Sequence, residues 1–439
     1  MASYLETLDY IFNLRGGEID LRLHRVAQAL SLFGHPERRY RVFHIAGTNG
    51  KGSTAAMLHR ILCAQGYKVA LYTSPHVVSF TERIRVSDQE ISQEEVVELA
   101  EALRVRSLGA GISLTFFEFV TVMALVYFSR CRVDVAVVEV GLGGRLDATN
   151  LVTPEVSIIT TISKDHEAYL GSDLHSIAQE KGGIIKAGVP FICGSMPRDV
   201  AAIFETMAQV KGSSGYFFGR DFSFAFKEDG LFDYEGMRWN LTDLSLALRG
   251  VYQKGNAAVA LAALEVTHGD FHVSEAAVRE GLEKVFWPAR FEVILHHPRV
   301  ILDGAHNSQG IKALVEEVRD FLDGKKVELL FGAVKDKDWS EMLQELSKVS
   351  RGVMLTRVPM DRSADPEELI SAVPADLPVT VIEDPAEAIA SLIGGAEEDQ
   401  TILVTGSLYL LGHIRPLLLR MGVSETLKAG GVASGFLEV

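Results

Sequence analysis

Cysteine is scarce in this chain: Cys63, Cys131 and Cys193 are its three, scattered through 439 positions. That number and spacing exclude a disulfide framework and a cysteine-based zinc site, and they fit a reducing cytoplasm. Basic residues are also in short supply, 43 Lys and Arg against 58 Asp and Glu, which leaves a formal charge of −15. A protein that binds nucleic acid or a membrane surface through its bulk field needs the opposite balance. Long hydrophobic runs are missing as well. The most apolar stretch, residues 114–128, is too short to span a bilayer and carries Glu118. The N-terminus mixes acids with apolar residues and has no basic start, so no signal peptide is expected. Apolar residues at 47% and charged residues at 23% exclude a largely disordered chain.

Apolar runs alternate with amphipathic stretches, the pattern of an α/β architecture with mostly parallel sheets. RVFHIA (41–46) precedes a glycine-rich turn and the segment STAAMLHRILCAQG (53–66), in which Met57, Leu58, Ile61 and Leu62 share a helical face and Gly66 ends the helix. KVALYT (68–73) completes a βαβ unit. VDVAVVEV (133–140) and VSIITTIS (156–163) read as strands buried on both faces. Later, VILD (300–303), VELLFGAV (327–334), VMLT (353–356), VTVIE (379–383) and TILVTG (401–406) alternate with helix-like segments. The expected organisation is an N-terminal P-loop-like domain with a mostly parallel sheet (1–296), including a small β excursion over about 212–250, and a C-terminal doubly wound, Rossmann-like domain (297–439).

The turn after the first strand reads Gly47-Thr48-Asn49-Gly50-Lys51-Gly52-Ser53. Glycines there let backbone N–H groups face a phosphate, the helix start adds its positive dipole end, and Lys51 adds a full charge. It departs from a strict Walker A, since no glycine stands five residues before Gly50. A dinucleotide site would want a carboxylate at the end of the next strand, where Thr73-Ser74-Pro75-His76 stands instead. Glu139 closes a buried strand just before Gly141-Leu142-Gly143-Gly144-Arg145-Leu146-Asp147-Ala148-Thr149-Asn150. It is either a Mg²⁺ ligand or a strand-end acid satisfied by Arg145 or a backbone N–H. Asp165-His166 follows the next strand and should emerge on the same sheet edge. Lys181, in AQEKGGIIKAG, reads on spacing alone as a solvated helix lysine. Asn256, Arg290 and Asp303-Gly304-Ala305-His306-Asn307 lie at helix and strand ends, individually a cap, a surface arginine and a turn.

Taken together, GTNGKGS, SPH, ERIRV, EVGLGGRLDATN, DHxxxLG, EKGGI, GN, WPARFE and LDGAHN occur in the order seen in the folylpolyglutamate synthase and dihydrofolate synthase family of ATP-dependent Mur ligases, which the chain resembles over essentially its whole length. The resemblance implies a two-domain enzyme with ATP between the domains. It makes Gly50, Lys51, Gly52 and Ser53 the triphosphate cradle, and Ser74, Glu139 and His166 the ligands of two Mg²⁺ ions, and it leaves room for a monovalent cation. Asn256, Arg290 and Asp303 become adenine, phosphate and ribose contacts, and His306 a further phosphate-side group. Lys181 falls on the family's carbamylated lysine, which reverses the reading from spacing and places it with Lys51 and His306 among the catalytic groups. The pterin substrate would lie against Ile19, Asp20 and Leu21, with Thr115, Phe116, Phe117 and Glu118 and with Leu146, Asp147 and Ala148. Two departures appear, Ala289 where the family often has Gly and Ser308 where Pro is common.

The implied reaction activates a carboxylate by transfer of ATP's γ-phosphoryl group, and the amine of L-glutamate then attacks the acyl phosphate. Dihydropteroate and reduced folates are the expected substrates, handled by a cytoplasmic monomer with no nucleic-acid or membrane partner. The alternatives are a member that only extends folates, another Mur-type ligase acting on cell-wall precursors, an NAD-dependent dehydrogenase suggested by the glycine-rich turns, and a nucleotide-binding regulator without catalysis.

Overall fold

A computed structural model describes residues 3–14, 23–267 and 271–428. The chain divides into two compact units, Met1–Ala247 with Gln253–Phe286, and Leu248–Tyr252 with Trp287–Val439.

In the first unit, β1 (Arg41–Ala46), β2 (Val69–Tyr72), β3 (Ile84–Val86), β4 (Gln89–Glu90), β5 (Val135–Glu139), β6 (Val156–Ile159), β7 (Phe191–Cys193) and β8 (Gly215–Phe217) form one sheet in the order β4-β3-β2-β5-β1-β6-β7-β8. Neighbours from β2 through β8 run parallel, and β3 and β4 turn back antiparallel at one edge. Every residue of β5 and β6 is buried, as their β-branched runs require of strands covered on both faces. Val42, Ala136 and Val138 pack with the helix Phe116–Cys131 in one core cluster. Met57, Leu58, Ile61 and Leu62 of the helix Lys51–Ala64 are fully buried, and Gly66, at φ +96°, follows that helix.

A second, antiparallel sheet of β9 (Ser223–Phe226), β10 (Phe232–Glu235) and β11 (Asn240–Leu244) accounts for the aromatic-rich excursion. It is tied to the helix Val251–Glu265 by a buried carboxylate: Glu265 accepts from the Tyr234 hydroxyl at 2.7 Å and from the Met237, Arg238 and Trp239 amides at 3.1, 2.7 and 2.5 Å. Four donors on one carboxylate offset the desolvation that would otherwise exclude it from the interior. Residues 215–217, expected within the excursion, instead extend the large sheet as β8.

The second unit holds β12 (Glu292–His296), β13 (Arg299–Leu302), β14 (Val327–Phe331), β15 (Ser350–Leu355), β16 (Val379–Val381) and β17 (Thr401–Thr405), in the order β12-β13-β17-β14-β15-β16. All pairs are parallel except β12 with β13. The break between units falls at Trp287 rather than near His296, because 292–296 form an edge strand hydrogen-bonded to β13. Among the described residues, no helix is long and apolar enough to cross a membrane.

Candidate active site

Parallel strands deliver their C-terminal ends to one edge of a sheet, and β1 lies between β5 and β6. The glycine turn, Glu139 and the segment after β6 therefore meet there. The turn is braced from below: the Thr48 amide donates to the Thr161 carbonyl at 2.8 Å, the Thr160 hydroxyl to the Asn49 carbonyl at 2.6 Å, and the Thr48 hydroxyl to the Ser163 carbonyl at 3.0 Å. Gly50 stands at the start of the helix with φ +87°, and a Cβ on it would lie 2.3 Å from Asn256 Oδ1. Only glycine permits both that backbone and that approach. Among the described residues no side chain caps this helix, and uncapped first-turn amides are the groups with which helices bind anions. Gly52 and the buried Ser53 lie in its first turn.

Two lysines converge on one backbone oxygen. Lys51 Nζ donates to the Gly47 and Thr48 carbonyls at 3.1 and 3.2 Å, and Lys181 Nζ donates to the Gly47 carbonyl at 2.8 Å. Lys181 is far from a solvated helix residue, at 5% exposure. Burial, helped by the nearby Lys51 charge, pulls its pKa down to about 7 against the opposing pull of Asp165 and Asp147. Its helix, Leu174–Gly182, is docked on the loop 141–150. There the Arg145 amide donates to the Glu180 carbonyl at 2.8 Å, and Asn150 Nδ2 donates to the Arg145 and Gly183 carbonyls at 2.9 and 3.2 Å. A Cβ on Gly183 would lie 2.3 Å from Arg145 Cα and one on Gly144 2.8 Å from the Lys181 carbonyl oxygen, so each motif needs a glycine where the other's backbone approaches.

Glu139 is buried and accepts from the Ser74 amide at 3.1 Å, which brings the ends of β5 and β2 together. His166 takes a left-handed conformation, φ +52°, with its side chain 43% exposed and Nε2 3.9 Å from Asp165 Oδ2. Among the described residues, no three His, Cys, Asp or Glu side chains form a group able to hold a metal ion. Mg²⁺ commonly takes one or two carboxylates and completes its shell with water and substrate phosphate. The buried Glu139 beside the glycine turn fits that donor set.

The residues expected at the substrate fall into three sets. Ile19, Asp20 and Leu21 lie outside the described residues. Thr115 and Glu118 form a capping box at the start of the helix Phe116–Cys131, and Glu118 also pairs with Arg25 at 2.8 Å. Phe116 stacks on Phe12 with ring centroids 5.4 Å apart, and Phe117 lies against Tyr72 and the Gly141 backbone. Leu146, Asp147 and Ala148 lead into the turn Ala148–Leu151, with Asp147 as its buried cap. The sequence attaches no role to His76 or Arg83, yet Arg83 Nε donates to His76 Nδ1 at 2.8 Å and the guanidinium lies over the Phe116 ring. Their presence in the SPH and ERIRV motifs was the available signal.

In the second unit, Asp303 is buried at the end of β13 and accepts from the Phe291 and Ala305 amides at 2.8 and 2.9 Å. Burial pushes its carboxyl up, opposed first by Arg290. His306 Nδ1 lies 2.8 Å from the Gly304 carbonyl, which can only accept, so Nδ1 carries the proton. The Arg290 loop is held by Glu292, which accepts from the Ala289 amide at 2.9 Å and pairs with Arg415 at 2.8 Å. Ala289 is fully buried with φ +57°. Glycine there relieves about 1 kcal/mol of left-handed strain but loses a buried methyl and loosens the unfolded chain. Ala289→Gly should therefore stay within about 1 kcal/mol of the parent in urea unfolding, whereas Ala289→Val, β-branched at positive φ, should cost more than about 2 kcal/mol. Equal stability of the Val variant would contradict this backbone.

Comparison with known proteins agrees with this architecture. Residues 45–264 match the Mur ligase middle domain and residues 289–408 the Mur ligase glutamate ligase domain. Folylpolyglutamate synthase of Lacticaseibacillus casei is 35% identical over 95% of this chain and 99% of its own. Dihydrofolate synthase/folylpolyglutamate synthase of Bacillus subtilis is 34% identical over 90% of this chain and 94% of its own. The structure of Escherichia coli FolC in complex with DHPP and ADP superposes with a TM-score of 0.88 at 33% identity, covering 96% of this chain and 98% of that one. The Yersinia pestis bifunctional folylpolyglutamate synthase/dihydrofolate synthase complexed with AMPPNP and Mn ion gives 0.86 at 32% identity, covering 95% and 98%. The chain belongs to the folylpolyglutamate synthase/dihydrofolate synthase family of Mur ligases.

Proposed function

We infer that the protein is an ATP-dependent ligase that joins L-glutamate to dihydropteroate, forming dihydrofolate, and to the γ-carboxylate of reduced folates, forming polyglutamates. The observation that carries this reading is the convergence of Lys51 and Lys181 on the Gly47 carbonyl, at the mouth of an uncapped helix and next to the strand that ends in Glu139. That arrangement is built for a polyphosphate. Its presence in a chain related end to end to enzymes named for these two syntheses supplies the substrates.

A carboxylate is a poor electrophile. One of its oxygens attacks the γ-phosphorus of ATP, ADP leaves, and an acyl phosphate results. The glutamate nitrogen attacks the acyl carbon and loses a proton, and the tetrahedral intermediate expels phosphate. No covalent enzyme intermediate is needed, so the protein's work is positioning and charge neutralisation. Lys51 and the amides of Gly50, Gly52 and Ser53 would hold the transferring group. Ser74, Glu139 and His166 would hold Mg²⁺, with two ions assigned, which supplies further neutralisation of the triphosphate. Asn256, Arg290 and Asp303 are assigned to the nucleotide and His306 to its phosphate side. Ile19 to Leu21, Thr115 to Glu118 and Leu146 to Ala148 are assigned to the pterin.

A lysine with a pKa near 7 is about half neutral at pH 7, where an ordinary one is almost wholly protonated. Only the neutral amine adds to CO₂. We therefore assign Lys181 as a carbamate, formed with release of one proton, whose negative charge would face the metal. Free Cys63, Cys131 and Cys193 support a cytoplasmic location.

Purified protein given ATP, Mg²⁺ and L-glutamate should release ADP with dihydropteroate and, separately, with tetrahydrofolate. Release with tetrahydrofolate alone would reduce the activity to chain extension. Release only with a UDP-linked cell-wall precursor would overturn the substrate assignment.

A further inference from the structure

A buried polar chain runs from the middle of β1 to the proposed substrate side and takes no part in the phosphate chemistry. His44 and Thr149 are each fully buried, with His44 Nε2 2.8 Å from Thr149 Oγ1. Thr149 Oγ1 is in turn hydrogen-bonded to Asp147 Oδ1. Asp147 also accepts from the Thr149 amide on Oδ1 at 3.0 Å and from the Leu142 amide on Oδ2 at 2.9 Å, with the Gly141 backbone as a further donor. Among the described residues, His44 Nδ1 has no hydrogen-bond partner.

The direction of the protons follows from this pattern. Burial, with Lys186 nearby, drives the imidazole pKa down to about 3, so the ring is neutral and carries one proton. On Nδ1 that proton would be a buried donor without an acceptor, among the rarest and costliest of polar defects. It therefore sits on Nε2 and is donated to the threonine oxygen. The threonine has a single proton, which must then go to Asp147. Burial pushes the Asp147 carboxyl up, and the Thr149 hydroxyl is the strongest of the hydrogen bonds that hold that rise in check.

We propose that His44 and Thr149 are positioning residues that hold Asp147 as an oriented, acceptor-only carboxylate, so that the site selects a heterocyclic substrate presenting ring N–H or amino donors. The inference rests on Asp147 being a substrate contact, as assigned above. Without the hydroxyl the carboxylate keeps backbone donors alone, its orientation loosens and its charged form is less well held, and a donor on the substrate then meets a mismatched group.

The test is steady-state ADP release by the full chain, with dihydropteroate and ATP varied separately. Thr149→Val keeps the shape and removes the relay. Its KM for dihydropteroate should rise about tenfold or more, the effect of losing a hydrogen bond to a charged group, while the KM for ATP stays within about twofold. Thr149→Ser restores a hydroxyl and should recover most of the lost affinity. His44→Gln, which keeps a donor, should be less impaired than His44→Phe. A dihydropteroate KM unchanged by Thr149→Val, equal rises in both KM values, or a serine variant no better than valine would overturn the relay. Asp147→Asn separates the two layers. If it leaves the dihydropteroate KM unchanged, the assignment of Asp147 to substrate fails. If it raises that KM while Thr149→Val does not, the relay alone fails.

Discussion

Lys181→Met should make the resting protein more stable and the enzyme at least about 10²-fold slower, the loss typical of removing one charge-stabilising group. The stability half follows from linkage. In the unfolded chain the amine holds its proton up to its ordinary value of 10.5, while in the folded protein it holds it only up to about 7. Between those values the unfolded state binds more protons, so folded-state stability rises with pH across that window. Below 7 both states are protonated and the full penalty, on the order of a few kcal/mol, remains. Methionine removes it, so the variant's advantage in urea unfolding should be largest at or below neutral pH and should shrink toward pH 10. Gly47 keeps a donor in Lys51. Bicarbonate sharpens the test: it should raise the melting temperature and turnover of CO₂-depleted wild type and leave the variant unmoved. A variant both less stable and insensitive to pH would show Lys181 to be an ordinary structural cation.

Lys51→Ala should lower kcat by about 10³-fold or more with the fold intact. The side chain opens a helix, and its ammonium donates to two backbone carbonyls, so little packing depends on it. Its loss also removes the like charge that helps depress Lys181, so the Lys181 pKa should rise and the carbamate should become harder to form. The two substitutions should consequently combine to less than the product of their separate effects. Wild-type turnover would remove Lys51 from the phosphate site. A raised KM for ATP with unchanged kcat would make it a binding group only.

The sheets were legible because buried strands have to be apolar along their whole length, as β5 and β6 are. β12 was not, because an edge strand with a bulge and half-buried residues has no such run. At the site, the motif residues were legible from their position at strand ends. Their supports were not, because they join segments far apart in the chain. Arg25 reaches Glu118, His44 reaches Thr149, and Glu292 meets Arg415 across 123 positions. Spacing read Lys181 as a solvated lysine, since nothing local shows that the loop 141–150 closes over its helix. Ala289 looked like a minor departure until its positive φ gave it a backbone cost.

The scarcity of cysteine has a practical side. All three thiols lie in the first unit, and burial pushes each upward: Cys63 to about 11, Cys131 above its ordinary value, and Cys193 further still. Alkylating dyes react with the thiolate, so at neutral pH the native chain should label slowly. A single exposed cysteine introduced into the second unit would carry a fluorophore almost alone, giving a spectroscopic reporter on that unit without first stripping the protein of its own sulfur.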